Sequence, residues 1–387
     1  MTDKLRTGKI LVHQKEIAED NYFYLRSCIR QNFFPGSETT FLWIIRNLLG
    51  KNIYDDATHT TCMGIGYHTD IVPFDTLQTV AARQFALMTE KGFENLAVSC
   101  VTSFGIYSEI LETWKEFPEE KEKARVNLKK ATGREFEVPK NVAHTSDIIY
   151  KFREEIAKAA EYNLVNFKTG EPLNIVEHVG CHYAKMFPDK GIGGAEFTRV
   201  LSGMIKAWGG NVVDYPERRH CCGFGFRNYV IQANRGYSLS NSKKKFESME
   251  PYEPDAIISN CPGCTMFMDK WQYVIGETEN KTYGQNGKGI PVLTYEELAG
   301  LVLGGSQSTA RAMQATFTPH QRSAEFFGFF AVSGKFAGIF GAFIYGSAIV
   351  FAGGVQAGIL ILGLFFILGG IILLTVREAA GVAVARE

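Results

Sequence analysis

The sequence predicts an α/β fold of two similar cysteine-rich repeats, each built on parallel-sheet units, followed by a helical-hairpin hydrophobic tail. Three observations carry this reading. Short apolar runs alternate with helix-like stretches through residues 1–115 and again through 171–305. The eight cysteines recur in the second half at a near-constant offset from the first. The stretch from Phe336 to Val376 contains no charged residue.

The elements follow in chain order. Residues 1–115 carry the strand-like runs "FYLRSC" and "NLAVSC" and the helical "FDTLQTVAARQFALMTEKG". Residues 116–170 are rich in charge and read as a helical connector with a loop. In 171–305, "LNIVEHVGC", "NVVDYP" and "DAIISNC" read as strands with helices between, and the glycine-rich loop 276–289 precedes "IPVLTYEELAGLVLG". The tail occupies 306–387. Its uncharged stretch is about twice the roughly 20 residues that one membrane-spanning helix needs. Residues 353–358, "GGVQAG", provide a turn, and Lys335 and Arg377 flank the stretch, as expected if both ends face the cytoplasm.

Composition narrows the function classes. Forty-one basic residues balance 41 acidic ones, so no excess of positive charge is available for nucleic-acid phosphates. The opening "MTDKLRTGKI" is polar and charged, unlike a secretory leader, which points to a cytoplasmic chain whose thiols stay reduced. In that setting clustered cysteines more often hold metals than disulfides. No serine–histidine–acid set or P-loop stands out, and "GIGG" at 191–194 is too short for a dinucleotide fingerprint.

The cysteines form two sets. The second is Cys181, the adjacent pair Cys221 and Cys222, and Cys261 and Cys264 in "NCPGCTMF"; the first is Cys28, Cys62 and Cys100. Cys222 lies 160 residues after Cys62, Cys261 lies 161 after Cys100, and Cys181 lies 153 after Cys28. Where the repeat calls for further cysteines, the first half has Thr61 and Ser103. Two copies of one five-cysteine unit, one of them degraded, account for the pattern. Each set falls after strand-like runs, where the carboxyl edge of an α/β sheet gathers ligands from separate loops.

Structural zinc is satisfied by four ligands, and Cys261-x-x-Cys264 alone would suit it. Five thiols overshoot that number. An iron–sulfur cluster has several irons to serve, so a vicinal pair reaching different irons makes sense there. Zinc and plain buried thiols remain the other readings of the set. For the first set, His59, His68, Thr61 or Ser103 would complete a site for zinc or a smaller cluster, and a packed relic is the bland alternative. Arg218, Arg219, His220 and Arg227 around the double cysteine either offset the charge of a thiolate-bound group or form a solvated basic edge. His182 either orients a ligand or is simply packed.

The spaced unit C-x39-CC-x38-C-x2-C, with "VGCHYAKMFP", "DYPERRHCCGFG", "SNCPGCTMFMDKWQ" and "PVLTYEELAGLVLG", resembles the cysteine-rich CCG domain found in the B-type subunit of heterodisulfide reductase, over residues 20–305. The resemblance implies a non-cubane [4Fe–4S] cluster on Cys181, Cys221, Cys222, Cys261 and Cys264. It also implies an oxidoreductase subunit that exchanges electrons with a small thiol/disulfide couple inside a complex. The other subunits there would be an iron–sulfur electron-transfer protein and a flavoprotein. Thr61 and Ser103 depart from the two-cluster pattern, leaving a second metal, zinc or a smaller cluster, on Cys28, Cys62 and Cys100. Related subunits occur in some succinate/fumarate:quinone reductases, which makes a quinone-linked subunit the first rival reading; a zinc-stabilised scaffold is the second. The tail is similar to the end of a major-facilitator transporter. Two spans cannot form that fold's pathway, so the tail is expected to attach the chain to the cytoplasmic face of a membrane.

Overall fold

The computed structural model describes residues 16–56, 62–186, 190–194, 198–225, 235–284 and 289–304, with Ser347, Leu360, Leu364, Ile367 and Leu368 beyond them. Residues Met1–Ser306 form one compact unit and Gln307–Glu387 another. The first unit holds two four-stranded parallel sheets of the same topology. In one, β1 (Tyr22–Leu25), β2 (Ile53–Tyr54), β3 (Asn95–Val98) and β4 (Asn141–His144) lie in the order β2-β1-β3-β4. In the other, β5 (Asn174–His178), β6 (Asn211–Val212), β7 (Ala256–Ser259) and β8 (Val292–Thr294) lie in the order β6-β5-β7-β8. The repeat read from the cysteines is therefore a repeat of folds.

The strands read as they do because they are buried. Tyr22–Leu25 and Ala256–Ser259 are buried at every position, as expected for parallel strands covered by helices on both faces. Helix Phe74–Glu90 spans the stretch read as helical and buries Leu77, Ala81, Phe85 and Met88 along one side. Strand β4 lies inside the charged stretch 116–170, where no strand is legible. Helix Pro118–Thr132 precedes it, and Asn95–Val98 pairs with it in register. Residues 141–144 thus complete the first sheet.

The halves interlock through the helices that follow their fourth strands. Thr145 opens helix Thr145–Lys151 after β4, and Tyr295 opens helix Tyr295–Val302 after β8. Their side-chain oxygens meet at 2.5 Å in a fully buried hydrogen bond. Beside it Arg30 pairs with Glu296 and donates to Tyr295 at 3.3 Å, all of them buried. Tyr183 donates to Asp147 across the same boundary.

The tail read as two membrane spans lies outside the described residues, apart from the five isolated positions. No helix among the described residues is long and apolar enough to cross a membrane.

Candidate metal centre

In each sheet the strand order turns at a switch point, between β1 and β3 or between β5 and β7, where an open α/β sheet offers a crevice at its carboxyl edge. The cysteines stand there. Cys28 begins helix Cys28–Phe33 just beyond β1, and Cys181 begins helix Cys181–Ala184 just beyond β5. Cys100 is the N-cap of helix Val101–Glu116 after β3, and Cys261 is the N-cap of helix Pro262–Glu279 after β7.

The second set converges. Cys222 Sγ and Cys264 Sγ are 3.2 Å apart. Cys181 and Cys221, Cys221 and Cys222, and Cys261 and Cys264 are near enough to shift one another's protons. All eight cysteines are free thiols. Cys222, Cys261 and Cys264 are buried, while Cys181 and Cys221 are half-buried, so the group opens to solvent on the side of the latter two.

The protons in this set are unevenly shared. Hydrogen bonds from Cys181 and then Cys222 hold Cys221 far below the usual thiol range. A hydrogen bond from Cys264 likewise lowers Cys261. The partners move the other way: bonding to Cys221 first, then burial, raises Cys181, and bonding to Cys222 and Cys261 raises Cys264. Cys222 is raised as well, chiefly by its bond to Cys221. Cys221 and Cys261 are thus the two sulfurs pushed toward the thiolate, and Cys181, Cys222 and Cys264 the three pushed away from it. Metal ions require the deprotonated form, so loading such a site expels those protons.

Backbone N–H groups point at the sulfurs. Gly223 donates to Cys221 Sγ at 3.3 Å, Phe224 to Cys222 Sγ at 3.4 Å, and Cys264 to Cys261 Sγ at 3.3 Å. Pro262 sits in the first turn after Cys261, where its missing N–H costs nothing, and the positive end of an 18-residue helix favours a thiolate there. Gly223 has φ +93°, and a Cβ on it would collide with the Ser238 carbonyl oxygen and lie 2.7 Å from Ser242 Oγ. Only glycine lets the double-cysteine loop turn this tightly against helix Arg235–Met249.

Two residues at this centre carry no signal in the spacing of the cysteines. Lys245 is fully buried, and its Nζ donates to the carbonyls of Glu217, Arg218 and His220 at 2.8, 3.0 and 3.1 Å. These three bonds hold the loop that carries Cys221 and Cys222. Burial lowers the ammonium to about 8, against the pull of negative charge on Cys222, Cys264, Cys181 and Cys221. The buried cation beside the thiols is therefore Lys245. Among the residues expected in that role, Arg218 pairs instead with Glu177 at 2.9 Å and Asp214 at 3.5 Å, and His220 meets Asn241 at 2.9 Å. Arg227 lies outside the described residues. The second residue is His178, the last of β5. It is 1% exposed, and one of its ring nitrogens lies within 4.8 Å of the sulfurs of Cys222 and Cys264. Burial, then the Lys245 charge, keeps its imidazole neutral.

The first set is looser. Cys28 is exposed, Cys62 half-buried and Cys100 buried. Gly64 N–H donates to Cys62 Sγ at 3.5 Å. Among the described residues, these three do not form a ligand group as close as that of His178, Cys222 and Cys264. Of the expected fourth partners, Ser103 is buried, and His59 and Thr61 lie outside the described residues. His68 turns toward the second half, its Nε2 3.2 Å from that of His182. Burial, then the charge of His68, lowers His182 to about 4, so the two rings share a neutral N–H···N contact. Burial pushes the Cys100 thiol up to about 12, with the charges of Cys261 and then Cys62 adding to it. Cys100 therefore stands between the two sets. Gly180 allows this closeness, since a Cβ on it would lie 2.8 Å from Val101 and 2.9 Å from Cys261 Cβ.

The residues present fit an iron–sulfur group: converging free thiols, backbone donors aimed at sulfur, a buried cation, and an imidazole with unmet nitrogens.

Residues 175–269 match the model of the cysteine-rich domain CCG, and residues 288–385 match that of the Vacuole effluxer Atg22 like family. The chain is 24% identical over 269 residues to the B-type subunit of ferredoxin:CoB-CoM heterodisulfide reductase from Methanosarcina acetivorans, covering 67% of this chain and 83% of that protein. It is 29% identical over 281 residues to the protein of the same description from Methanosarcina mazei, covering 72% and 88%. Over 134 residues it is 25% identical to the 8-methylmenaquinol:fumarate reductase membrane anchor subunit of Wolinella succinogenes, covering 34% of this chain and 43% of that protein.

Proposed function

From the premise that this chain is similar to the B-type subunit of heterodisulfide reductase and carries a CCG cysteine-rich domain at 175–269, we propose that it is the iron–sulfur subunit of a heterodisulfide reductase-like complex. It carries electrons to or from a small thiol/disulfide couple. Cys181, Cys221, Cys222, Cys261 and Cys264 hold a non-cubane [4Fe–4S] cluster, while the looser Cys28, Cys62 and Cys100 are either a second site, for zinc or a smaller cluster, or a packed relic of one. The observation that carries this reading is the 3.2 Å contact of Cys222 and Cys264, with His178 beside it, in a set of five free thiols. When bound, the cluster supplies storage for single electrons.

The protein's own residues do the rest. Gly223, Phe224 and Cys264 stabilise negative charge on sulfur through their N–H groups. Lys245 offsets the same charge while fixing the Cys221–Cys222 loop. Half-buried Cys181 and Cys221 leave the approach side open to a small disulfide. Two electrons and two protons open its S–S bond and leave two thiols; the reverse releases both. The electrons pass through an iron–sulfur partner subunit and a flavoprotein. The tail keeps the chain at the cytoplasmic face of the membrane.

Paramagnetic resonance tests the ligand set. The Cys222→Ser variant is expected to lose the cluster signal of the full chain; an unchanged signal removes Cys222 from the ligands. A second reading, a quinone-linked subunit of a fumarate-reductase-type complex, draws on the similarity to the Wolinella succinogenes anchor subunit. Copurification with a succinate-oxidising flavoprotein, without activity on disulfides, would replace the first reading with the second.

A further inference from the structure

His178 has no place in the five-thiol account, yet it is the non-cysteine side chain in the closest ligand group among the described residues. It closes β5, held by the parallel ladder to β7 through the register His178↔Ser259. It is 1% exposed, and neither Nδ1 nor Nε2 has a hydrogen-bond partner among the described residues. A buried imidazole with both nitrogens unmet is costly, so some group is expected to meet it. The sulfurs of Cys222 and Cys264 are within 4.8 Å.

Two contacts would relieve the cost. A histidine bound to metal nearly always donates its other N–H to a carboxylate, carbonyl or water. His178 has no such acceptor among the described residues, so ligation would leave an N–H buried and unpaired. Donation from the ring to sulfur leaves only a lone pair unmet, the lesser penalty. Five thiols also leave no vacancy that demands a nitrogen.

We propose that His178 donates a ring N–H to the Cys222–Cys264 sulfur pair when these thiols hold the cluster, stabilising its reduced state. This rests on the cluster reading above. Hydrogen bonds to cluster sulfur favour the added electron and so raise the reduction potential. His178 is a positioning and tuning residue, not a ligand.

The test uses the full chain, purified anaerobically with 15N-labelled histidine, and begins with iron and acid-labile sulfide. Their absence would sink the cluster reading itself, before His178 is addressed. With the cluster present, hyperfine spectroscopy is expected to show a weakly coupled nitrogen and an exchangeable proton, both lost in His178→Phe. The midpoint potential is expected to fall in His178→Phe and to fall less in His178→Asn, which keeps a donor. A strongly coupled, directly bound nitrogen overturns the proposal, as does the absence of any nitrogen coupling in the unmutated chain. Coupling and potential that persist in either folded variant also overturn it.

Discussion

Around the double cysteine, single atoms decide what the site can do. Gly223 takes a backbone conformation that costs other residues about 1–3 kcal/mol, and the collision with Ser238 adds to this. Gly223→Ala is therefore expected to lower the denaturation midpoint and to reduce bound iron, both measurable on one preparation. Lys245→Met removes three hydrogen bonds from a charged donor to half-buried loop carbonyls, and their loss is expected to lower stability. It also removes a positive charge beside the thiols, so the variant is expected to show a lower reduction potential as well as lower stability. The cysteines themselves were legible, because a C…CC…CxxC spacing has few other uses. Lys245 and His178 were not: a lysine on a polar helix and a histidine ending a strand look ordinary until the loop closes over them.

Among the elements, strands rich in apolar residues were readable, and so were helices with a one-sided pattern. β4 was hidden because Asn141–His144 is short and lies between charged segments, and only its pairing with β3 makes it a strand. β2 is a two-residue edge of the same kind, whereas β6, equally short, falls inside the strand-like "NVVDYP". In the closing segment "PVLTYEELAGLVLG", Thr294 Oγ1 accepts from Glu297 N–H at 3.2 Å while Glu297 caps Thr294 N–H at 2.9 Å. Thr294 also meets Ser37 of the first half at 2.9 Å. Thr294→Ala is expected to cost about 0.5–2 kcal/mol, read as a shift in a denaturant midpoint of the metal-free chain.

At the level of the whole molecule, two sheets of one topology hold two unequal sites. The second kept five thiols, the first three, and Cys100 and Cys261 stand close enough to influence each other's protons. Because the thiols of Cys181, Cys222 and Cys264 are pushed up by their sulfur neighbours and by burial, protons are expected to compete with metal there. Loading the metal-free protein is expected to release acid, measurable in a weakly buffered titration, and uptake is expected to weaken as pH falls. A chain that binds metal without releasing protons would use other ligands.

In the proposed function the five thiols carry an iron–sulfur cluster. Iron, acid-labile sulfide and zinc, quantified together on anaerobically purified full-length protein, test it most directly. A brown protein with iron and sulfide in comparable amounts is expected, both lost in Cys222→Ser. Zinc alone, without sulfide, would contradict it and leave a metal-stabilised scaffold in its place.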